Sequence, residues 1–264
     1  MVKLSSCLLF TLVLSIHAVF AQSAAVFAQS AEREKVTQAL EWFALTSNIK
    51  MTNRLTLMVE GQFRYADDFD AQQYQARTAL DIKINEHLTI SPLAYVYTWN
   101  YKYGKQPAQF ENNEHRIWQQ VFYKHGFGRF KVDHRLRLEE RFIQHHSLLD
   151  DGTVVNEGYT NHQTRIRYRL MAKAPLNSSK IESGTYYAAV YDEIFFSWGD
   201  NVTYHKPDQN RIFAGLGYQF NEKLGVIGGF LNQTLVKSNG AKQENNIGFL
   251  IHFTYNVDLT RDNQ

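Results

Sequence analysis

Arginines fall at every second position of two segments. In HRLRLEERF they are Arg135, Arg137 and Arg141, with Glu139 completing the series, and in RIRYRL they are Arg165, Arg167 and Arg169. A guanidinium fork binds a carboxylate or phosphate through two parallel hydrogen bonds. Forks spaced in this way make a basic surface that either recruits acids from the same chain or holds an anion. The acids placed to answer are Glu139 itself, Asp133, Glu60 and Asp81 on earlier segments, and Glu193 with its neighbour Asp192. Glu140 breaks the alternation, falling on the side of Leu136, Leu138 and Phe142.

A second set of residue types suits covalent catalysis. His145, His146 and Ser147 follow the first arginine series, with Glu140 and Asp150 nearby, so nucleophile, base and orienting acid are all present. His146 and Ser147 are the catalytic candidates. Adjacent residues of a strand point to opposite faces, however, and adjacent residues of a loop have no fixed geometry. A solvated loop accounts for them more simply. His115, His125, His134 and His162 are scattered without a spacing that converges ligands, so no metal site and no cofactor is expected. The pairs Asp67-Asp68 and Asp150-Asp151 read as loop-solubilising acids, and Gly225, Gly228 and Gly229 sit in an apolar run rather than a phosphate cradle.

The elements that carry these side chains repeat with period two. In RLTLMVEGQFRY, Leu55, Leu57, Val59, Phe63 and Tyr65 alternate with Arg54, Thr56, Glu60, Gln62 and Arg64. QYQARTALDIKI, HQTRIRYRLMAK, NRIFAGLGYQF and NIGFLIHFTYNV behave likewise. The runs extend over roughly 10 to 14 residues, longer than the five or six usual for soluble strands and enough for the ~9–11 that a tilted strand needs to cross a bilayer. The links between runs alternate between short turns, such as 50–53 and 85–87, and longer polar stretches, such as 102–113 and 144–161, as in barrels with short turns on one rim. Aromatic residues crowd beside two long links, Tyr95 to Tyr103 and Phe195 to Tyr204, where interfacial belts place them.

Composition narrows the setting. Lys3 followed by LLFTLVLSIHAVFA forms an export signal, residues 1–28, with cleavage after Ala21 or after Ala28. The single cysteine, Cys7, lies within it, which leaves no disulfide and no thiol chemistry for the exported chain. A net charge of +2 with 20% charged residues lacks the basic excess of nucleic-acid binders. The expected architecture is an all-β, transmembrane, antiparallel up-and-down barrel over residues 39–258, after an N-terminal segment 29–38 and before a tail 259–264. Eleven runs are countable, and because bacterial single-chain barrels usually have an even number, twelve strands are expected, with ten as the alternative.

A lipid-facing arginine near the midplane costs about 2–4 kcal/mol, so the arginines must point into the lumen. Arg135, Arg137, Glu139, Arg141, Arg165, Arg167, Arg169, Glu60, Asp81 and Glu193 are then expected to form a charged lumenal network. Glu140, near the outer rim, is expected either to project outward among headgroups or, as the favoured course, to join the network through a β-bulge at Glu139-Glu140.

HRLRLEERF, RIRYRL, YDEIFF, NRIFAGLGYQF and LGVIGGFLNQ, in that order, resemble a Gram-negative outer-membrane family known only as domain of unknown function 2490, over about Trp42 to Tyr255. The resemblance implies an outer-membrane barrel and carries no activity. The functional expectation is therefore a structural or binding barrel, or a narrow anion-preferring pore for small solutes. A lipid-modifying enzyme with a rim His/Ser site is the alternative. The partners expected are outer-membrane lipid, lipopolysaccharide and a small anionic solute, with no nucleic acid, for a monomeric chain.

Overall fold

The computed structural model describes residues 33–204 and 207–260; the expected export signal lies outside them. The strands are, in chain order, β1 (Glu34–Lys50), β2 (Leu55–Ala66), β3 (Asp70–Lys83), β4 (Leu88–Asn100), β5 (Asn112–Phe127), β6 (Phe130–Ile143), β7 (His146–Leu148), β8 (Val154–Asn156), β9 (Asn161–Pro175), β10 (Thr185–Gly199), β11 (Gln209–Gln219), β12 (Leu224–Val236) and β13 (Lys242–Asp258). Eleven of them close a barrel in the order β1-β13-β12-β11-β10-β9-β6-β5-β4-β3-β2, while β7 and β8 make a separate two-stranded sheet within the β6–β9 connection.

The expected count of twelve, or ten, is corrected to eleven. Among the described residues all the barrel pairings are antiparallel except that of β1 with β13, which is parallel from Glu34↔Lys242 to Lys50↔Asp258. An up-and-down chain with an odd number of strands brings its first and last strands together running the same way, and here a 17-residue seam pairs both edges. No open edge remains for a further strand to cover. The seam also takes in part of the expected pre-barrel segment: the barrel starts at Glu34 rather than at residue 39, because 34–38 pair with 242–246. At Gly248 a Cβ would run into the backbone of Leu40, so glycine is what allows β13 to approach β1 this closely.

Alternation assigns the faces. Leu136 and Leu138 are exposed on the outside, as are Val59, Phe63, Leu93, Ile117, Val121, Leu216, Phe230 and Phe253, whereas Arg135, Arg137 and Glu139 are buried inside. An exposed apolar band on this scale calls for an apolar surrounding. The two rims differ less tidily than the sequence suggests. One carries the links 101–111, 144–160 and 200–208, yet its first link is only Asp67, Asp68 and Phe69, all with positive φ. The opposite rim, otherwise turned tightly, includes the longer link 176–184.

Candidate functional site

Four neighbouring strands, β5, β6, β9 and β10, build one wall of the lumen. At its centre Glu139 is wholly buried and accepts from Arg165 Nε at 2.7 Å and Arg167 Nη1 at 2.8 Å, with Arg116 and Arg137 each at 3.6 Å. One level towards the rim of long links, Glu114 bridges Arg116 at 2.7 Å and Arg141 at 2.7 and 2.9 Å. One strand along, Glu193 joins Arg167 at 2.8 Å and also Arg135, with Arg211 at 3.8 Å. Carboxylates and guanidiniums therefore interleave across neighbouring strands. That is the arrangement that makes a buried ionic cluster tolerable, since each charge keeps opposite neighbours and hydrogen bonds.

Aromatic rings lie beneath the same cations. Arg137 sits over Trp118 at 3.9 Å, and Arg167 and Arg211 sit over Phe195 at 4.5 and 4.7 Å. Arg64 and Arg211 both lie over Trp42, at 4.1 and 4.9 Å. A ring face attracts a cation through its quadrupole, which partly replaces lost water.

The sequence candidates fare differently. Arg135, Arg137, Glu139, Arg141, Arg165, Arg167 and Glu193 come together in the connected cluster. Glu60 stands apart, bound to Arg77 at 2.7 Å and to Thr46 at 2.8 Å. Asp81 accepts from Ser91 and does not join the cluster, Asp133 pairs with Lys173 at 3.4 Å, and Arg169 lies over Tyr191 at 5.5 Å. The sequence reading missed Arg64, Arg77, Arg116, Arg211 and Glu114. Parity would have found Arg64 and Arg77, which alternate in step with Glu60 and Asp81.

Glu140 takes the outward course and corrects the favoured one. Register runs without a shift through Glu139 and Glu140 against both neighbouring strands, so there is no bulge. Its carboxylate projects outward and accepts from Thr164 at 2.8 Å, with the His162 ring nitrogen at 3.0 Å. Those local partners, near the rim, supply what the bulge was expected to supply from the lumen.

The rim candidates do not assemble. His146 and Ser147 sit on β7, His146 beside Phe110 at a ring distance of 5.6 Å. Ser147 instead bonds to Glu157, whose carboxyl is held below its usual range by that bond first and by His145 second. A serine donating to a carboxylate that a histidine also donates to has the three groups in an order that does not activate the hydroxyl. Among the described residues no group of three or more His, Cys, Asp or Glu is placed to hold a metal ion.

Among the described residues, two cavities lie in the lumen. The outer one, towards the long links, is about 250 Å³ and is lined by Arg64, Arg116, Arg141, Arg165, Arg167, Arg211 and Lys237, against Asp208 as its one acid. The inner one is about 330 Å³; its cations include Arg64, Arg77, Lys124, Arg135, Arg137 and Arg169, against Glu60, Asp81 and Glu193. Arg64, Arg167 and Arg211 line both and so form the partition between them. The 101–111 link closes part of the outer mouth. It leaves β4, passes β3 and β2, and is tied to β1 and β13 by Tyr103 Oη donating to Glu244 at 3.0 Å and by Lys105 N donating to Gln38 at 2.9 Å. Tyr103, expected in an exterior aromatic belt, instead lines this cavity. Burial pushes the Asp208 carboxyl above its usual range, opposed in part by nearby Arg165 and Arg141.

Fold and interior together define a closed β-barrel with an apolar outer surface and a buried arginine-carboxylate lumen. A family described as "Protein of unknown function (DUF2490)" matches residues 41–245, and the chain belongs to it. Among solved structures, the NanC porin is similar at 9% identity over 79% of this chain and 93% of its own, with a TM-score of 0.45. OmpT of Vibrio cholerae is similar at 8% identity over 74% of this chain and 56% of its own, with a TM-score of 0.35. No curated protein matches the sequence.

Proposed function

We propose that this chain is an outer-membrane barrel that admits small anions into a cationic lumen and passes them through a narrow partition. The observation that carries this is the lining of the outer cavity, seven cations against Asp208 alone. Such a chamber concentrates anions at its mouth and repels cations. The apolar exterior supports placement in lipid, with lipid and lipopolysaccharide as its surroundings, and the paired seam leaves no edge that demands a second copy.

Single-channel recording in planar bilayers tests the reading. Small anion-selective steps are expected, and Arg137→Glu combined with Arg167→Glu should weaken or invert the selectivity. A folded protein that conducts nothing overturns it.

A further inference from the structure

The lumenal arginines differ in what answers their charge. Arg64 is 7% exposed, and its partners among the described residues are neutral: Gln62 at 2.5 and 3.0 Å, Gln73 at 2.6 Å, Gln75 at 3.4 Å and the Trp42 ring. Arg211 donates to Gln233 at 2.9 Å, and its nearest carboxylate is Glu193 at 3.8 Å, already engaged by Arg135 and Arg167. Two guanidiniums thus face one indole at the partition, answered mainly by amides. A buried cation left without a counter-charge is costly, and like charges held together add to that cost. One carboxylate entering the outer cavity would meet both.

A second observation concerns the rest of such a ligand. Gln72, 6% exposed, lines the outer cavity with its Oε1 lacking any hydrogen-bond partner, and the Tyr204 hydroxyl on the same lining also lacks one. A buried amide oxygen needs a donor, and unsatisfied buried polar atoms are uncommon enough to require a cause. A hydroxyl supplies that donor. A chamber of about 250 Å³ lies below the range that holds drug-sized molecules, which limits the occupant to roughly one sugar-sized unit.

We infer that the outer cavity is a binding site for a small hydroxylated monocarboxylate of the sugar-acid class, its carboxylate held by Arg64 and Arg211 and a hydroxyl donating to Gln72. The inference rests on the lumen being an anion-taking interior.

Calorimetry on the folded exported chain in detergent tests it with sodium gluconate as the probe, against propionate, glucose and inorganic phosphate. Gluconate should bind saturably and at least tenfold tighter than any of the other three. Arg64→Gln and Arg211→Gln should each weaken gluconate tenfold or more. Gln72→Leu, which leaves the arginines in place, should weaken gluconate several-fold and leave propionate unchanged, so the site remains testable even where an arginine variant fails to fold. Glucose binding as tightly as gluconate removes the cation pair from the site, and phosphate binding more tightly removes the hydroxyl contact; either overturns the inference. Anion-selective conductance without gluconate binding also overturns it while leaving the pore reading intact. Gluconate binding without conductance supports the site and sinks the pore.

Discussion

The two sides of the lumen solve the same problem in different ways. On the wall of β5, β6, β9 and β10, arginines alternate with Glu114, Glu139 and Glu193, and each carboxylate serves two or more guanidiniums. Away from it, Arg64 on β2 meets Arg211, which reaches over from β11 beside that wall; the two share Trp42 and are held mainly by glutamines, Arg211 also lying over Phe195 with Glu193 no nearer than 3.8 Å. The first wall answers charge with charge and so becomes rigid. On the second, charge is answered by polarisable and neutral groups, which leaves its electrostatic demand open to something that arrives. A structural wall and a receptive wall can thus be told apart by what stands opposite each guanidinium.

The largest expected effect is on the paired wall. Glu139→Gln leaves Arg165 and Arg167 without their shared carboxylate and should cost about 3–5 kcal/mol of stability, read from denaturant unfolding of the barrel refolded in lipid vesicles. Combining it with Arg165→Gln removes one of the stranded charges and should restore part of that loss. Arg64→Gln, by contrast, should change stability by no more than about 1 kcal/mol, because Arg64 leaves behind neutral amides that can bond one another. Equal losses at Glu139 and Arg64 would erase the distinction between the walls. Trp42→Leu lies between them: it withdraws the ring from two cations and should cost about 2 kcal/mol, with weaker anion binding as its second readout.

The sequence carried the paired wall more clearly than the receptive one. Arg135, Arg137, Glu139 and Arg141 announce themselves by strict alternation in a single strand, and RIRYRL repeats the signal on its neighbour. Arg64 and Arg211 are single arginines in strands otherwise unmarked, brought together by barrel closure from β2 and β11. Nothing local in either segment encodes that meeting. Glu114 and Arg116 were hidden for another reason: they lie on β5 just past the 102–113 link, in a segment outside the alternating runs picked out from the sequence. Strand parity misled because the usual even count holds for antiparallel closure, and this seam is parallel.

Asp208 offers a finer test of the receptive side. Its carboxyl is raised above the ordinary range chiefly by burial, so the folded state keeps a proton that the unfolded chain gives up first. Its contribution to stability is therefore fully present below the unfolded value and is lost as pH rises through the raised folded value. Asp208→Asn should flatten that part of the stability-pH curve. It also removes the one acid lining the outer cavity, so anion affinity at neutral pH should rise by a few-fold in the same variant. A curve that keeps its full slope in Asp208→Asn would assign the pH dependence to another group.

The smallest effect is expected one residue along from the largest. Glu140 follows Glu139 on β6 but faces outward, where its partners are Thr164 and the His162 ring, and His162 and Glu140 have side chains 47% and 36% exposed. Exposed pairs of this kind contribute about 0–1 kcal/mol, so Glu140→Gln should fall within that range in the vesicle unfolding assay. The same substitution at Glu139 removes a carboxylate with no exposure and two close arginines. Side-chain chemistry and position along the strand are then nearly constant between the two variants, and only the face of the barrel differs. A large loss at Glu140 would mean that the outer surface near this rim bears an electrostatic load of its own, and the contrast between a charged interior and an apolar exterior would have to be redrawn there.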